Sequence, residues 1–304
     1  MTVLLRPHVL QPVGPLAAIT RAAAARLAAL EVKADADMLW LVDQAIALLD
    51  HTMPGRPYWD LPPALYDFAA AGPLFLPLLT ARLLAGISAR HLIRPVPDVV
   101  LPELRRQAMR ILALDSPALD DDAFRQDLSI CLLLSFPCVA QVVTETGVIP
   151  RRALTSGGLA QALRLGAWLA ATGLRSGPYL ELHTHAPMLD DFNPAGWERC
   201  HELAAELLKM RPNCPGIIGS SWFYDPALGG ISPRLTYLAT IPIRGGAFRV
   251  RLGASRQDAA LATATSPTRR ARVESGEYVP ARWLLIWPRR ALLAWAAQRP
   301  DEMP

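Results

Sequence analysis

The stretch Tyr179 to Leu208, YLELHTHAPMLDDFNPAGWERCHELAAELL, holds three of the six histidines of the chain. A strand sends alternate side chains to opposite faces, so Tyr179, Glu181, His183 and His185 share one face. Leu180, Leu182, Thr184 and Ala186 share the other, mostly apolar one. Two residues of strand rise about 6.6 Å, and an imidazole reaches its metal at about 2.0–2.1 Å. His183 and His185 can therefore chelate one ion, with Glu181 as the nearby carboxylate. Two imidazoles and a carboxylate with open coordination positions suit non-haem iron, and the same set serves catalytic zinc. The plainer role of such a pair is to hydrogen-bond its strand neighbours.

Further along, Asn193 is an expected N-cap with Pro194 as first helical residue. On that helix Trp197, Cys200, His201, Ala204, Leu207 and Leu208 fall on one stripe. His201 is thus a fourth candidate ligand, against the plainer role of a satisfied core histidine. Tyr224-Asp225-Pro226 ends an expected strand, where functional side chains emerge, and Tyr224 and Asp225 are candidate catalytic groups. Asp225 suits a general base or a metal carboxylate; a turn before proline is its plainer role. Gly219-Ser220-Ser221-Trp222 is no nucleophile elbow, and no histidine follows His201, which argues against serine catalysis.

Charge is unevenly placed. Ile231 to Arg290 carries eleven arginines against Asp258, Glu274 and Glu277, within a net charge of +4. This asymmetry points to an anionic partner. Arg234, Arg251, Arg269 and Arg270 are the candidate substrate-binding residues. No module with basic residues interleaved with exposed aromatics is legible, so nucleic acid is not expected.

Two resemblances follow from these residues. ELHTHAP is similar to the D-x-H-x-H opening of amidohydrolases and PHP-type phosphoesterases, which carry metal on barrel strands. Glu181 stands where those families have aspartate, and about 120 residues after the motif are too few for the rest of a (β/α)₈ barrel. The order of elements after residue 179 resembles, loosely, the GNAT acyltransferase fold, with Ser266 to Pro280 similar to its late helix. That resemblance implies coenzyme A as cofactor and Tyr278 as a candidate acid. RLGASRQ (Arg251 to Gln257) stands where the family has a glycine-rich pyrophosphate loop, and it lacks that pattern.

The elements that must position these groups divide the chain. Residues 14–148 read as helical: Leu16 to Val32, Asp37 to Asp50, a helix opened by Pro62-Pro63 and resumed to His91, Glu103 to Asp115, and Asp122 to Glu145 interrupted at Pro137. Asp120-Asp121-Asp122 marks a helix N-terminus. From residue 179 the order reads β-α-β-β-β-α-β-α, with Ile231 to Ile243 and Ala247 to Leu252 as a hairpin closed by Arg244-Gly245-Gly246. The predicted class is α+β, an α-helical N-terminal domain (1–150) followed by a mixed α/β domain (151–304).

Hydrophobic residues at 52% and charged ones at 19% suit a large core, but the apolar runs fall short of the roughly 20 residues that span a membrane. Met1 to Gly14 lacks the pattern of a signal peptide, and the spacing of Cys131, Cys138, Cys200 and Cys214 matches neither a zinc motif nor a disulfide framework. A cytoplasmic protein is expected. Its expected function is metal-dependent chemistry on a small anionic substrate, an iron oxidoreductase ahead of a hydrolase. Acyl transfer is the runner-up, and a binding module whose apolar helical half docks a partner protein is the third reading.

Overall fold

The structure, a computed structural model, describes residues 14–173 and 178–299. The first residues, read above for a signal peptide, lie outside that range. The chain is α+β and divides into two compact units, Met1–Phe136 and Pro137–Pro304. Among the described residues no helix is long and apolar enough to cross a membrane.

The first unit is helical: α1 (Pro15–Glu31), α2 (Ala36–Thr52), α3 (Pro63–Ala69), α4 (Phe75–Ala85), α5 (Ile87–Ile93), α6 (Leu101–Leu112) and α7 (Asp122–Cys131). Helix α4, FLPLLTARLLA, is apolar nearly all round and lies at the centre, with α1, α2 and α6 packed on it. A helix without a polar face must be covered on every side. Its one arginine, Arg82, reaches Glu31 at 3.1 Å and Asp43 at 3.2 Å. The acidic run before α7 is a cap, as expected: Asp121 Oδ1 accepts the Ala123 amide at 2.9 Å.

The expected helix from Asp122 to Glu145 is corrected by the structure. The chain leaves the helix after Cys131 and forms β1 (Ser135–Cys138) and β2 (Gln141–Gly147), and the division between the two units falls within β1. Leu133 and Val139 take left-handed backbone, with φ of 54° and 56°, on either side of β1. A continuous apolar run does not tell buried helix from buried strand. Here Pro137 and the β-branched Val142, Val143 and Thr144 favour the strand.

The second unit continues with α8 (Arg152–Thr155), α9 (Gly158–Thr172), β3 (Tyr179–His183), α10 (Pro194–Lys209), β4 (Gly216–Ser221), α11 (Leu228–Ile231), α12 (Tyr237–Arg244), β5 (Phe248–Ala254), α13 (Arg256–Thr263), α14 (Pro267–Glu274), β6 (Ala281–Pro288) and α15 (Arg289–Ala297). The expected hairpin over residues 231–252 is therefore not formed. Its first arm is helical, and Gly245-Gly246 follows the end of α12, with Gly246 at φ 93°. Glycines end helices as readily as they turn hairpins, and Pro242 would have broken the ladder of a strand.

The six strands lie in the order β1-β2-β3-β4-β6-β5. β3 and β4 are parallel, joined by α10 as a crossover, and the pairs β2/β3, β4/β6 and β6/β5 are antiparallel. The register sorts the sheet into two faces. Glu181 lies beside Ile218, Ile218 beside Ile286, and Ile286 beside Phe248. This face packs against Ala153 of α8 and Leu165 of α9. Leu182, Gly219, Leu285 and Arg249 mark the opposite face, on which α10 and α15 pack.

The outer edge of β5 is closed by a side chain. Gln161 of α9 donates from Nε2 to the Arg251 carbonyl and accepts the Arg251 amide at Oε1, both at 2.9 Å. One amide side chain thus stands in for a neighbouring strand. A Cβ on Gly157 would lie 2.3 Å from the Gln161 amide, so the glycine leaves room for it. Gln161→Leu is expected to destabilise the protein by about 1–3 kcal/mol, the cost of leaving buried backbone groups unsatisfied. Urea denaturation measures this, and a loss below about 0.5 kcal/mol, the size of an ordinary surface substitution, would show that the edge is satisfied by solvent.

Candidate functional site

The polar patch on the Glu181 face is built by β2 and β3. Thr144 of β2 lies opposite Glu181 in the antiparallel ladder, and Val142 opposite His183. His183 Nε2 is 3.1 Å from Thr144 Oγ1, which is 3.1 Å from Thr146 Oγ1. The same imidazole nitrogen is 3.7 Å from Glu181 Oε2, and both side chains are largely buried. Burial pushes the Glu181 carboxyl up to about 7, because the charged form loses hydration. The register shifts between Thr144 and Gly147, and a Cβ on Gly147 would lie 2.9 Å from the Glu181 Cβ. Glycine at this bulge leaves room for the base of the Glu181 side chain and for Ile218. A carboxyl and a hydroxyl thus converge on one imidazole nitrogen, a set of groups that can take up and release a proton near neutral pH.

The expected metal set is not gathered in one place. Among the described residues no group of three or more His, Cys, Asp or Glu is disposed to hold a metal ion. β3 ends at His183, and His185 lies beyond it, fully buried, ahead of a 3-10 turn over Ala186–Asp191. His201 sits on α10, as expected, in the buried stripe with Trp197 and Cys200, and Asn193 caps that helix through the Gly196 amide at 3.0 Å. Its ring contacts Trp197, Trp287 and Trp295, with centroids 5.1, 5.1 and 6.3 Å away. Trp287 pairs with Ile217, which belongs to the face opposite Glu181. The sheet therefore lies between His201 and the Glu181–His183 pair, and His201 does not join them as a ligand. It donates from Nδ1 to the Trp197 carbonyl at 2.7 Å, which fixes the tautomer and leaves Nε2 buried without a hydrogen-bond partner among the described residues. Burial lowers its pKa to about 4, so the ring is neutral.

Tyr224, Asp225 and Tyr278 gather elsewhere, at the carboxyl end of β4. Asp225 accepts the Ala227 amide at 3.0 Å and the Ala281 amide at 3.1 Å. Both carboxylate oxygens thus hold backbone, tying the turn after β4 to the start of β6. Tyr224 and Tyr278 are buried, and their hydroxyls have no hydrogen-bond partner among the described residues. Burial raises the pKa of both, with Asp225 adding to the rise at Tyr278. The Tyr224 hydroxyl lies against Gly219, where a Cβ would come within 2.9 Å.

The four arginines do not converge on the pair. Arg269 of α14 is buried over the Trp222 ring at 4.9 Å and donates to the Ala262 carbonyl and to Ser232 Oγ. Burial lowers its pKa, and repulsion from Arg234 adds to this. Arg270, next on the helix, is exposed and reaches the Thr263 carbonyl at 3.4 Å. Arg251 belongs to the edge strand β5, three positions along the sheet from β3.

Sequence reasoning missed Thr144, because it placed residues 122–145 in a helix. The run of β-branched residues Val142, Val143 and Thr144 was the available signal. The chain matches no protein-family model, no curated protein and no solved structure.

Proposed function

We propose that the protein is an enzyme whose reacting groups are Glu181 and His183, working by proton transfer on a small molecule. The observation that supports this is the 3.7 Å approach of Glu181 Oε2 to His183 Nε2, with the Thr144 hydroxyl on the same nitrogen. A carboxyl held near neutrality beside an imidazole suits a general acid and base at physiological pH. Small esters, amides, thioesters and 2-oxo acids, offered to tag-free protein, test the reading. Any turnover found is expected to be lost in Glu181→Gln and in His183→Ala while both variants keep the wild-type circular dichroism. Turnover that survives both changes overturns it.

A second reading keeps the same pair as ligands of a divalent metal. Two ligands of one tetrahedral zinc lie roughly 3.4 Å apart for metal–ligand distances of about 2.0–2.2 Å, close to the observed 3.7 Å. Iron bound there would supply oxidation and zinc would supply an activated water. Near-stoichiometric iron or zinc in protein purified without chelator, absent from His183→Ala, supports this reading. No uptake on reconstitution removes it.

A further inference from the structure

A cavity of about 260 Å³ lies across the β5 edge, lined by Gln161, Arg164, Pro226, Phe248, Arg249 and Trp283. Phe248 and Arg249 are neighbours on β5 and belong to opposite faces of the sheet, so the cavity draws on both. Phe248 is held in place by stacking on Trp168, with centroids 4.8 Å apart. The apolar walls are Pro226, Phe248 and Trp283, and the charged ones are two guanidiniums. Gln161 contributes no free group, since its amide is committed to Ala153 and to the Arg251 backbone.

Arg249 lies over the Trp283 ring at 5.6 Å and donates from Nη1 to the Tyr224 carbonyl at 3.2 Å. Arg164 is exposed and donates from Nε to the Ala160 carbonyl at 3.2 Å, which leaves its terminal nitrogens. Among the described residues neither forms an ion pair with a carboxylate. Burial lowers the Arg249 pKa, and the opposing charge it feels is Asp225, whose oxygens already hold two amides. A partly desolvated guanidinium without a contacting counter-charge is under-compensated, and an entering carboxylate would supply that charge through paired hydrogen bonds.

We infer that this cavity binds a small aromatic carboxylate, with the carboxylate between Arg164 and Arg249 and the ring against Phe248 and Trp283. The volume is below the roughly 300–1,000 Å³ of pockets for drug-sized ligands, which selects a compact molecule and excludes one as large as coenzyme A. Inorganic phosphate would meet the arginines but leave three apolar walls uncovered. The site is independent of the Glu181–His183 pair, from which β5 is separated by β4 and β6.

Calorimetric titration of tag-free, full-length protein with benzoate tests the inference, with benzamide and inorganic phosphate as comparators. Saturable benzoate binding is expected, with benzamide weaker by roughly tenfold or more, as the loss of a charge-assisted hydrogen bond implies. Arg164→Gln, a change at an exposed position, is expected to weaken benzoate several-fold. Arg249→Gln is expected to weaken it at least as much, and Arg249→Lys keeps the charge as a folding control. The inference is overturned if benzoate does not saturate, if benzamide binds as tightly, if phosphate displaces benzoate at equal concentration, or if Arg164→Gln binds unchanged.

Discussion

Between pH 4 and pH 8, metal-free Glu181→Gln protein gains on the wild type by about 3 kcal/mol of unfolding free energy, the linkage value of a carboxyl raised from 4.5 to about 7. Below pH 4.5 the Glu181 carboxyl carries its proton in both the folded and the unfolded chain, so it contributes no pH dependence there. From pH 4.5 to about 7 the unfolded chain has lost that proton while the folded chain retains it, and wild-type stability falls as the pH rises. Above 7 both forms are ionised, the folded one against its burial, and the loss is complete. Glutamine is close in shape to the protonated acid and does not titrate, so it escapes this loss. Urea denaturation of both proteins at half-unit pH intervals measures the difference. A difference that stays flat from pH 4 to 8 would mean that Glu181 is an ordinary solvated carboxylate, and the proton-transfer reading would lose its support. A tightly bound divalent metal would hold Glu181 ionised and remove the same slope, so the experiment repeated with zinc or ferrous ion bears on the second reading.

His201→Gln protein shows the opposite dependence: as the pH falls from 7 to 4 it gains on the wild type by about 3 kcal/mol, from a folded-state pKa lowered from 6.5 to about 4. The unfolded histidine takes up a proton through pH 6.5. The folded one, enclosed by Trp197, Trp287 and Trp295, does not take it up until about 4, so acid stabilises the unfolded chain. Burial is the main cause, and Arg299, over the Trp295 ring at 4.0 Å, adds repulsion. At neutral pH the variant is expected to be the less stable protein, because the imidazole packing among three indoles is lost. The pH-dependent part of the difference is therefore the test. A constant gap from pH 7 to 4 would show that His201 is protonated without cost and that the indole enclosure admits water. In the wild type the Glu181 and His201 slopes oppose each other between about pH 4.5 and 6.5, so its stability there should look nearly flat. Only the two single variants separate the contributions.

The helix Pro194–Lys209 shows what was legible before folding. Its cap, its first proline and its buried stripe each depend on residues within a few positions of one another, and each is as the spacing predicts. The same holds for the cap of α7, whose signal is also local. The expected hairpin at 231–252 failed because glycine pairs end helices as well as close hairpins, and the choice between them rests on a partner. The partner of β5 is β6, about thirty residues further on. Likewise the apolar run from Leu128 to Val143 fits helix or strand equally by pattern, and the β2 ladder to β3 decides it.

The candidate site divides along the same line. Strand alternation alone determined that Glu181 and His183 share a face, since that follows from backbone geometry. The tertiary structure alone decided that His201 lies across the sheet from them, that Thr144 completes the pair, and that Arg164 meets Arg249 at a cavity 85 residues away in the chain. Those relations join residues distant in sequence, and no local period encodes which face of a sheet a later helix will cover.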